Sequence, residues 1–413
     1  MGELLYNIGL RGYNFGIKIA SLFNDKAQLW VKGRRNWRKY LKEQVDRIDP
    51  KKTKVWFHVS SLGEFEQGRP VMEELKKSKD ISLIISFYSP SGFEIMKSWK
   101  EADVVTYLPL DTKKNAKDFI GIIEPAAVIF VKYDLWFHYL NELKKKKIPS
   151  VLISARFYPS QIFFKKWAPW YRELLFLLDQ ILVQDQDSLD LLNSISYPRA
   201  ILTGDTRYDR VSELSINTDR FSDIESFIVD KKVFIAGSSW PLDEKVMSPY
   251  ILENPDDLRF IVAPHDISKE HVQSLLKSFG GKAILYSELS NLKQESILIL
   301  DTIGMLSRLY KYADISYIGG AFKEGLHNIL EPAAYAIPVI TGPDHSGFPE
   351  GKALEDAGGL FKIDNAGGFT EIMHKLIHDE PFYKQTCKQS KSFILKNSGA
   401  SERTVSTIET TIF

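Results

Sequence analysis

The chain has 413 residues, too many for one ordinary hydrophobic core, and this length predicts two domains of about 150–200 residues each. Its content of 44% hydrophobic and 26% charged residues is typical of a globular protein and excludes a disordered one. A formal net charge of +1 excludes a global positive field for nucleic acid. The single cysteine, Cys387, excludes an internal disulfide framework and a cysteine-rich zinc site.

The first part of the chain, residues 4–23, carries apolar residues at helical spacing and predicts an amphipathic helix. Arg11 and Lys18 interrupt the apolar run, which argues against a secretory signal and against a membrane-spanning helix. Two interpretations stay open: a helix that lies in a membrane interface, and a helix that docks on its own domain. We assign residues 1–37 as an N-terminal amphipathic, membrane-proximal segment, with an apolar side formed by Leu4, Ile8, Phe15, Ile19 and Leu22.

The rest of the chain alternates short apolar runs with amphipathic stretches. Runs such as VWFHVS and ISLIISF are typical of buried strands, and the segments between them have helical spacing. This alternation predicts the α/β class, with parallel sheets covered by helices on both faces. A polar stretch interrupts this alternation, which resumes after it. The sequence therefore predicts two doubly wound halves. The domains are a first at 38–205, a linker at 206–230, a second at 231–385, and a C-terminal helix at 386–413, for which packing back onto the first domain is one interpretation.

The segment VSSLGEFEQGRP places a carboxylate just beyond a strand end. The strand ends at Ser60, the next residues turn the chain, and Glu64 opens a helix. In one interpretation Glu64 only favours the helix N-terminal dipole, as first-turn acids do. In the other it is a general base that removes a proton from an acceptor hydroxyl. Both interpretations stay open on this segment alone.

Two further strand ends carry groups that suit an anion. In YSPSGFE, Ser91 and its neighbours offer hydroxyl and N–H groups to an anion, or simply cap a helix. Arg156 follows another strand, where a guanidinium can hold a phosphate through two hydrogen bonds. Behind it, residues 157–172 interleave aromatic and cationic side chains, which suits either lipid contact or a helix core.

The second half offers a phosphate-binding pattern. Ser238 and Ser239 follow a strand and precede a helix, so that a phosphate can approach the backbone N–H groups there. Further along, the loop around Gly320 follows another strand, and Asn328 and Glu331 come three apart on a predicted helix. This pattern predicts a nucleotide mono- or diphosphate, with Glu331 on the ribose hydroxyl groups. The eight histidines show no metal-ligand spacing.

Taken in order, these motifs resemble a known family. The segments are HVSSLGEFEQGRP, SFYSPSGFE, YLPLD, LWF, SARF, TGDTRYD, AGSSW, GGAFKEGLHNILEPAA and GPDH. Their order and content resemble the 3-deoxy-D-manno-octulosonic acid (Kdo) transferases, glycosyltransferase family 30, over most of the chain.

The resemblance implies a GT-B architecture, in which two Rossmann-like domains face a central cleft. It implies an inverting transfer of Kdo from CMP-Kdo to a lipid A precursor, lipid IVA, in lipopolysaccharide biosynthesis. The expected partners are CMP-Kdo, the lipid A precursor and the membrane surface, with no nucleic acid and with no metal or other cofactor. The expected location is peripheral, on the cytoplasmic face of the inner membrane of a Gram-negative bacterium.

The resemblance also implies roles for individual residues. It makes Glu64 the catalytic base. It places the donor, CMP-Kdo, at Ser238, Ser239, His265, Gly320, Asn328 and Glu331. It places acceptor or sugar-acid anions at Ser60, Ser61, Ser91, Arg156 and Arg207.

The chain departs from the family pattern at three positions. Lys132 stands where the E-x-E-L-W-P motif has its first acid, His265 stands where P-R-H has its arginine, and Arg207 replaces a lysine. The first two departures concern anion binding, and His265 is expected to take part of the arginine's role. Two alternatives stay open: a GT-B enzyme with a UDP-sugar donor, and a non-catalytic protein that binds lipid A.

Overall fold

The computed structural model of this chain describes residues 2–216, 219–254 and 258–412. Met1, Asn217, Thr218, residues 255–257 and Phe413 lie outside the described residues; they fall in the predicted N-terminal segment, linker, second domain and C-terminal helix. The chain divides into two compact units. The first is Met1–Arg210 with Ser398–Phe413, and the second is Val211–Asn397.

The first unit contains a seven-stranded parallel sheet with the strand order β3-β2-β1-β4-β5-β6-β7. Most of these strands are buried at nearly every residue, because helices cover both faces of a parallel sheet. Trp56 and Phe57 follow each other in the first strand and pack into the cores on opposite faces. The strands are β1 (Thr53–Val59), β2 (Ile81–Phe87), β3 (Val104–Tyr107), β4 (Ala127–Val131), β5 (Ser150–Ala155), β6 (Gln180–Val183) and β7 (Ala200–Leu202).

The helices of the first unit alternate with these strands. One 3-10 turn, Ile162–Phe164, precedes the eighth helix, and the border between the units falls within the tenth. In chain order they are α1 (Gly2–Ala20), α2 (Asp25–Gly33), α3 (Trp37–Val45), α4 (Leu62–Ser78), α5 (Pro90–Met96), α6 (Lys113–Ile123), α7 (Phe137–Lys146), α8 (Pro169–Leu177), α9 (Gln186–Ser194) and α10 (Arg207–Ser215).

Helix α1 docks on its own unit through a polar side and leaves an apolar side exposed. Tyr6 donates a 2.6 Å hydrogen bond to Asp111, and the side chain of Asn7 lies 2.7 Å from Nε2 of His138. Docking on its own unit, one of the two interpretations, is therefore confirmed, and a location in a membrane interface stays a prediction. Among the described helices, none is long and apolar enough to span a bilayer. The exposed apolar side chains of α1 are Leu4, Leu5, Ile8, Tyr13, Phe15 and Ile19.

In its described residues, the second unit also forms a seven-stranded parallel sheet, with the order β10-β11-β9-β8-β12-β13-β14. Its strands are β8 (Lys232–Ser239), β9 (Leu258–Pro264), β10 (Ala283–Leu285), β11 (Ile297–Ile299), β12 (Ile315–Ile318), β13 (Val339–Thr341) and β14 (Leu360–Lys362). Its helices are α11 (Ser222–Ile228), α12 (Pro241–Glu253), α13 (Lys269–Ser278), α14 (Leu306–Leu309), α15 (Leu330–Ala334), α16 (Pro349–Asp356), α17 (Ala366–His378) and α18 (Glu380–Asn397), with 3-10 turns at Tyr286–Asn291 and Tyr310–Tyr312.

Two boundaries differ from those predicted. The expected linker at 206–230 contains the helices α10 and α11, because Val211, Ile224 and Phe227 are buried apolar residues within the polar stretch. The expected C-terminal helix at 386–413 is interrupted at Gly399, whose φ of 89° is left-handed. The last helix, α19 (Ala400–Ile412), belongs to the first unit, where Val405 and Ile408 join the core that contains the α4 side chains.

Each sheet contains a reversal point, at which the chain leaves two neighbouring strands in opposite directions. In the first sheet this point lies between β1 and β4, and in the second it lies between β8 and β12. Ligands of doubly wound sheets bind beyond the carboxyl ends of the strands at such a point. The residues that follow these four strands are therefore the first candidates for a site.

Candidate active site

Glu64 follows β1 and lies in the first turn of α4. Its Oε2 accepts a 3.0 Å hydrogen bond from the backbone N–H of Ser61 and a second, short one from the Ser61 hydroxyl. The carboxylate therefore caps the helix, which is the structural interpretation that the sequence left open. The side chain remains 14% exposed, so that a capping role does not remove it from solvent.

Lys132 follows β4, the neighbour of β1 at the reversal point. Its Nζ lies 3.7 Å from Oε1 of Glu64. The backbone of Lys132 has a φ of 73°, a left-handed conformation that costs a residue other than glycine about 1–2 kcal/mol. A 2.9 Å hydrogen bond from its N–H to the Ile153 carbonyl holds this conformation. Lys132, which stands where the resembled pattern has an acid, therefore faces Glu64, the candidate base.

A second acid of the same loop, Asp134, joins two residues of the first strand end. Ser60 donates a 2.5 Å hydrogen bond to Asp134 Oδ2, and Nε2 of His58 lies 2.9 Å from the same oxygen. His58 is fully buried in β1, and its Nδ1 lies 2.8 Å from the Ser86 hydroxyl on β2. Local spacing in the sequence does not identify His58 and Asp134 as site residues. The available signal is Asp134, the second acid of the E-x-E-L-W-P pattern, which the chain keeps beside the altered position 132.

The hydroxyl groups of Ser60 and Ser61 both donate their protons to carboxylates. Ser60 donates to Asp134, and Ser61 donates to Glu64. A serine that donates its proton still offers oxygen lone pairs as acceptors. In this arrangement Ser60 and Ser61 suit the hydroxyl groups of a sugar better than the oxygens of an anion.

Ser91 lies in the first turn of α5, which follows the neighbouring strand β2. The N–H of Ser89 donates to the Ser60 carbonyl at 2.7 Å, which brings the two strand ends together. Ser89 and Ser91 place their hydroxyl oxygens 2.8 Å apart, and Ser89 caps α5. Gly92 allows this approach, because a Cβ there would lie 2.9 Å from the backbone nitrogen of Leu62. Ser91 is exposed and therefore accessible to a ligand.

Arg156 and Arg207 both have acidic partners. Arg156 follows β5, and its Nε lies 3.4 Å from Asp185, in an open pocket of about 380 Å³ that Asp187 also lines. Arg207 opens α10 and pairs with Asp205 at 2.7 Å. An anion at either guanidinium would compete with a carboxylate that is already present.

In the second unit, β8 continues through both predicted serines. Ser238 has a left-handed φ of 51°, and the pairing of β8 with β9 shifts between Gly237 and Ser239. The Ser239 hydroxyl is 1% exposed and donates to Glu244 at 3.0 Å. The strand therefore does not end at Gly237, as the sequence indicated, and the bulge turns Ser239 inward.

A buried acid, Asp243, holds the two strand ends of the second sheet together. It accepts 2.9 Å hydrogen bonds from the N–H groups of Trp240 and Gly320 and a 2.6 Å bond from the Tyr317 hydroxyl. Burial raises the pKa of Asp243, and these three donors oppose the rise. Local spacing in the sequence does not identify Asp243, because two of its partners, Tyr317 and Gly320, lie far from it along the chain.

Glycine is required where these strand ends meet. A Cβ on Gly319 would lie 2.3 Å from the Ser238 carbonyl oxygen, and one on Gly320 would lie 2.1 Å from the Gly325 carbonyl oxygen. The φ of Gly320 is 95°. The loop after β12 is thus a tight turn against the end of β8, as the phosphate-binding pattern requires of its glycines.

Three rings stack beside this loop. The centroid of His265 lies 4.5 Å from Trp240 and 4.6 Å from His327, with the ring planes nearly parallel. Trp240 Nε1 donates a 3.0 Å hydrogen bond to Nε2 of His327. Burial lowers the pKa of His327, and the neighbouring His265 lowers it further. His265 is exposed at the open side of the stack and accessible to a ligand.

Asn328 and Glu331 are hydrogen-bonded to each other, although only one lies on a helix. Asn328 Nδ2 donates to Glu331 at 3.0 Å, while its Oδ1 accepts from the N–H of Leu330 at 3.1 Å. The helix α15 begins at Leu330, so the prediction that places Asn328 on it is wrong. The reason is that an asparagine side chain that accepts from a backbone N–H two residues on favours a turn before a helix.

The described residues contain no group of three or more histidine, cysteine or acidic side chains that could hold a metal ion. The polar groups of the first unit that lie close to Glu64 are Ser60, Ser61, Lys132 and Asp134. Those of the second unit gather around Asp243 and the ring stack. Each unit thus has one candidate site, at its own reversal point.

Residues 35–210 match the family model of 3-deoxy-D-manno-octulosonic-acid transferase (kdotransferase). A 3-deoxy-D-manno-octulosonic acid transferase of Haemophilus influenzae is 25% identical over 367 residues, which cover 84% of this chain and 85% of that protein. One from Rickettsia felis is 28% identical over 304 residues, which cover 71% of this chain and 64% of that protein. A bifunctional glycosyltransferase/methyltransferase of Fusobacterium nucleatum is 27% identical, and the matched region spans 47% of its length.

Solved structures share the fold at low identity. A UDP-GlcNAc 2-epimerase from Neisseria meningitidis superimposes with a TM-score of 0.63 and 19% identity, over 87% of this chain and 100% of that one. A glycosyltransferase from Rickettsia africae superimposes with a TM-score of 0.58 and 15% identity, over 87% of this chain and 98% of that one. The fold of this chain is therefore GT-B.

Proposed function

Because this chain belongs to the 3-deoxy-D-manno-octulosonic acid transferase family, we propose that it transfers Kdo from CMP-Kdo to a lipid A precursor, lipid IVA, with inversion at the anomeric carbon. The observation that supports this most directly is the placement of Glu64. It follows β1 at the reversal point of its sheet, is partly exposed, and faces the Lys132 ammonium at 3.7 Å. Glu64 and Lys132 both fall within residues 35–210, the matched region.

In the proposed reaction Glu64 is the general base. A primary hydroxyl of the acceptor attacks the anomeric carbon of Kdo, and its proton passes to the Glu64 carboxylate. The bond between the anomeric carbon and the CMP phosphate oxygen breaks, and CMP leaves with the electron pair from the opposite face. Ser60 and Ser61 would accept hydrogen bonds from acceptor hydroxyl groups, since their own protons go to carboxylates. Lys132 supplies the counter-charge beside Glu64.

We assign the donor to the second unit. Exposed Asn328 and partly buried Glu331, already joined by a hydrogen bond, suit the ribose hydroxyl groups. The exposed His265 suits the CMP phosphate, in the place of the family arginine. Asp243 takes no part in contact with the donor, because it is 0% exposed; it fixes Gly320 and Trp240 in position. Charge on the leaving phosphate would be met by side-chain and backbone donors, without a metal ion.

We further propose that the protein works at the inner-membrane surface, held there peripherally by α1. Exposed apolar residues on α1 and the turn after it, such as Phe15 at 67% and Leu22 at 74%, suit insertion at the headgroup boundary. Replacing Ile8, Phe15 and Leu22 by serine should release the protein from phosphatidylglycerol vesicles in a sedimentation assay. A triple variant that sediments as the wild type does would contradict this attachment.

The transfer itself is tested by product mass. The protein is incubated with CMP-Kdo and a tetra-acylated lipid A precursor, and the acceptor is then weighed by mass spectrometry. A gain of one or more Kdo masses supports the proposal and gives their number. UDP-hexoses serve as control donors: transfer from them and not from CMP-Kdo would point to a different GT-B reaction. Binding of the precursor with no product from any donor would point to a non-catalytic protein.

A further inference from the structure

An open pocket of about 630 Å³ lies in the first unit, and none of the groups around Glu64 lines it. Helix α1 and the turn after it supply Asn14, Lys18 and Ser21 on one side. The segment between α2 and α3 supplies Arg34 and Arg35 on the other. No acidic side chain is among the lining residues that the structure describes. The pocket is therefore cationic.

Arg34 carries a charge without a counter-ion. Its guanidinium donates to the carbonyls of Leu108 at 2.8 Å, Tyr88 at 2.7 Å and Trp30 at 3.1 Å, and in the described part of the chain it pairs with no carboxylate. These three bonds leave further guanidinium N–H groups available. Burial lowers the pKa of Arg34 to about 10, so the group is still charged at neutral pH. The guanidinium also lies 3.9 Å from the centroid of the Trp30 ring, whose face partly stabilises the charge, and a bound anion would stabilise it further.

A neighbouring donor is also unpaired. Trp30 lines the pocket and is 5% exposed, and its Nε1–H has no hydrogen-bond partner among the described residues. Buried donors without a partner are rare in folded proteins. Hydrogen bonds to three carbonyls explain the position of Arg34. They do not explain why the Trp30 N–H has no partner, or why two further cations, Lys18 and Arg35, line the same pocket.

The position of the pocket on α1 indicates the source of the anion. Asn14, Lys18 and Ser21, spaced four and three apart, line the pocket along one side of the helix and its following turn. Phe15, Ile19 and Leu22 follow them one residue later and are exposed apolar residues. A polar row that leads into a cationic pocket thus runs beside an apolar row that faces solvent. This pairing fits a molecule with a charged head and an apolar tail.

We infer that this pocket binds the phosphate headgroup of an anionic lipid, with Arg34, Arg35, Lys18 and Trp30 as donors. The guanidinium of Arg34 suits a phosphate because it offers parallel N–H groups. The acyl chains would lie along the apolar row of α1. This binding site goes beyond the transfer reaction and needs no donor substrate.

The test is calorimetric titration of the full chain with dihexanoyl phosphatidic acid, which is a soluble phosphomonoester lipid. The double variant Lys18→Gln/Arg35→Gln should bind about tenfold or more weakly than the wild type, since each cation near a lipid phosphate contributes about fivefold. Both side chains are exposed, so the fold should be retained. The matched control is Lys26→Gln/Lys32→Gln, which removes the same charge from α2 outside the pocket and should bind as the wild type does.

Two further probes separate the sources of phosphate. Dihexanoyl phosphatidylcholine, whose headgroup is zwitterionic, should bind much more weakly. Inorganic phosphate should also bind more weakly, since it lacks the apolar tail. Equal loss in the two double variants would overturn the pocket as a specific site, and equal binding of inorganic phosphate and the lipid would overturn the lipid as its ligand. Neither result would bear on the transferase, since no CMP-Kdo is present.

Discussion

The ammonium of Lys132 lies 3.7 Å from Oε1 of Glu64, across the two strand ends at which the first sheet reverses its order. The other carboxylate oxygen, Oε2, accepts the backbone N–H of Ser61 at 3.0 Å. One oxygen of Glu64 therefore faces a cation, while the other caps a helix. These separate contacts allow the chemical and structural roles of Glu64 to be measured apart.

Replacing Glu64 by glutamine should reduce transfer by about 10²–10⁴, because an amide cannot accept a proton from the acceptor. The glutamine keeps an oxygen that can accept the N–H of Ser61, so the stability of the first unit should change little. Glu64→Ala removes both functions and should also lower the free energy of unfolding by about 1 kcal/mol. Product mass over time measures the first effect, and urea unfolding measures the second.

The affinity for CMP serves as the control for both variants, since we assign the nucleotide to the second unit. It should remain within about twofold of the wild-type value, which is a small change on the scale of single contacts. A glutamine variant that turns over at a near-normal rate would remove Glu64 from the proposed mechanism.

Lys132→Met should lower kcat/KM by about fivefold to tenfold, because the partly buried Glu64 carboxylate then lacks its charge partner. Lys132→Arg keeps a cation and should retain most of the activity. Steady-state kinetics with CMP-Kdo and the acceptor distinguish the two. If methionine and arginine have the same effect, the charge at position 132 does not matter to the reaction.

The sequence could predict where the chemistry lies, because strand ends depend on local patterns. β2 is a mostly apolar run that ends at Phe87, two residues before Ser89, and β1 ends just before Ser60. Parallel strands bring such ends to one edge of a sheet, and the structure brings Ser60, Ser61 and Glu64 together with Ser89. The apolar periodicity of the sequence is sufficient to predict that these residues meet at one edge of the sheet.

The sequence could not predict the partners that hold these residues. His58 reads as one polar residue inside a buried strand, and only the register of β1 beside β2 and the loop after β4 places it between Ser86 and Asp134. Asp243 likewise reads as a first-turn acid of α12, whereas two of its partners, Tyr317 and Gly320, lie more than seventy positions away, at separations of 74 and 77. Contacts of this kind depend on topology and not on local spacing.

Asp243→Ala should destabilise the second unit by about 3 kcal/mol and weaken CMP binding at least tenfold. The physical reason is that the substitution leaves the buried N–H groups of Trp240 and Gly320 without an acceptor. Thermal unfolding and CMP titration measure the two effects.

Asp243→Asn is the milder comparison, because its amide oxygen can still accept from the two backbone N–H groups. It should lose less stability than the alanine variant does. Tyr317→Phe removes only the third hydrogen bond, that of the hydroxyl to Oδ1, and should leave CMP affinity nearly unchanged. An alanine variant with wild-type CMP affinity would show that the Gly320 loop does not depend on Asp243.

Asp209→Ala should loosen the last helix from the first unit. The carboxylate accepts from the N–H groups of Gly399 at 2.5 Å and Ser401 at 2.6 Å, at the start of α19. Loss of this cap should lower the free energy of unfolding by about 1–2 kcal/mol. Hydrogen exchange should then be faster in α19 than in α18, which belongs to the second unit. Unchanged exchange in α19 would show that its docking does not depend on Asp209 but on its other contacts, such as the burial of Val405 and Ile408.

The ring stack of the second unit should make CMP binding sensitive to acid. His327 is neutral at Nε2, because that atom accepts the hydrogen bond from Trp240, and its pKa is lowered from 6.5 by burial and by His265. A histidine with a pKa lowered by folding binds fewer protons in the folded state than in the unfolded one. The stability that it contributes is therefore present above pH 6.5 and is lost as the pH falls through the lower, folded pKa.

Protonation of His327 would break its bond with Trp240 and place a cation against the stacked ring of His265, so the stack that borders the Gly320 loop should open. We expect the affinity for CMP to fall as the pH drops through the folded pKa of His327, which lies below 6.5. His327→Gln keeps an acceptor for Trp240 but does not titrate, so this variant should lose less affinity between pH 7 and pH 5.5 than the wild type loses, by about tenfold at most. Calorimetric titration with CMP across this range measures the difference. If the two proteins lose affinity in parallel, the acid sensitivity comes from CMP itself or from another group, and His327 has no part in it.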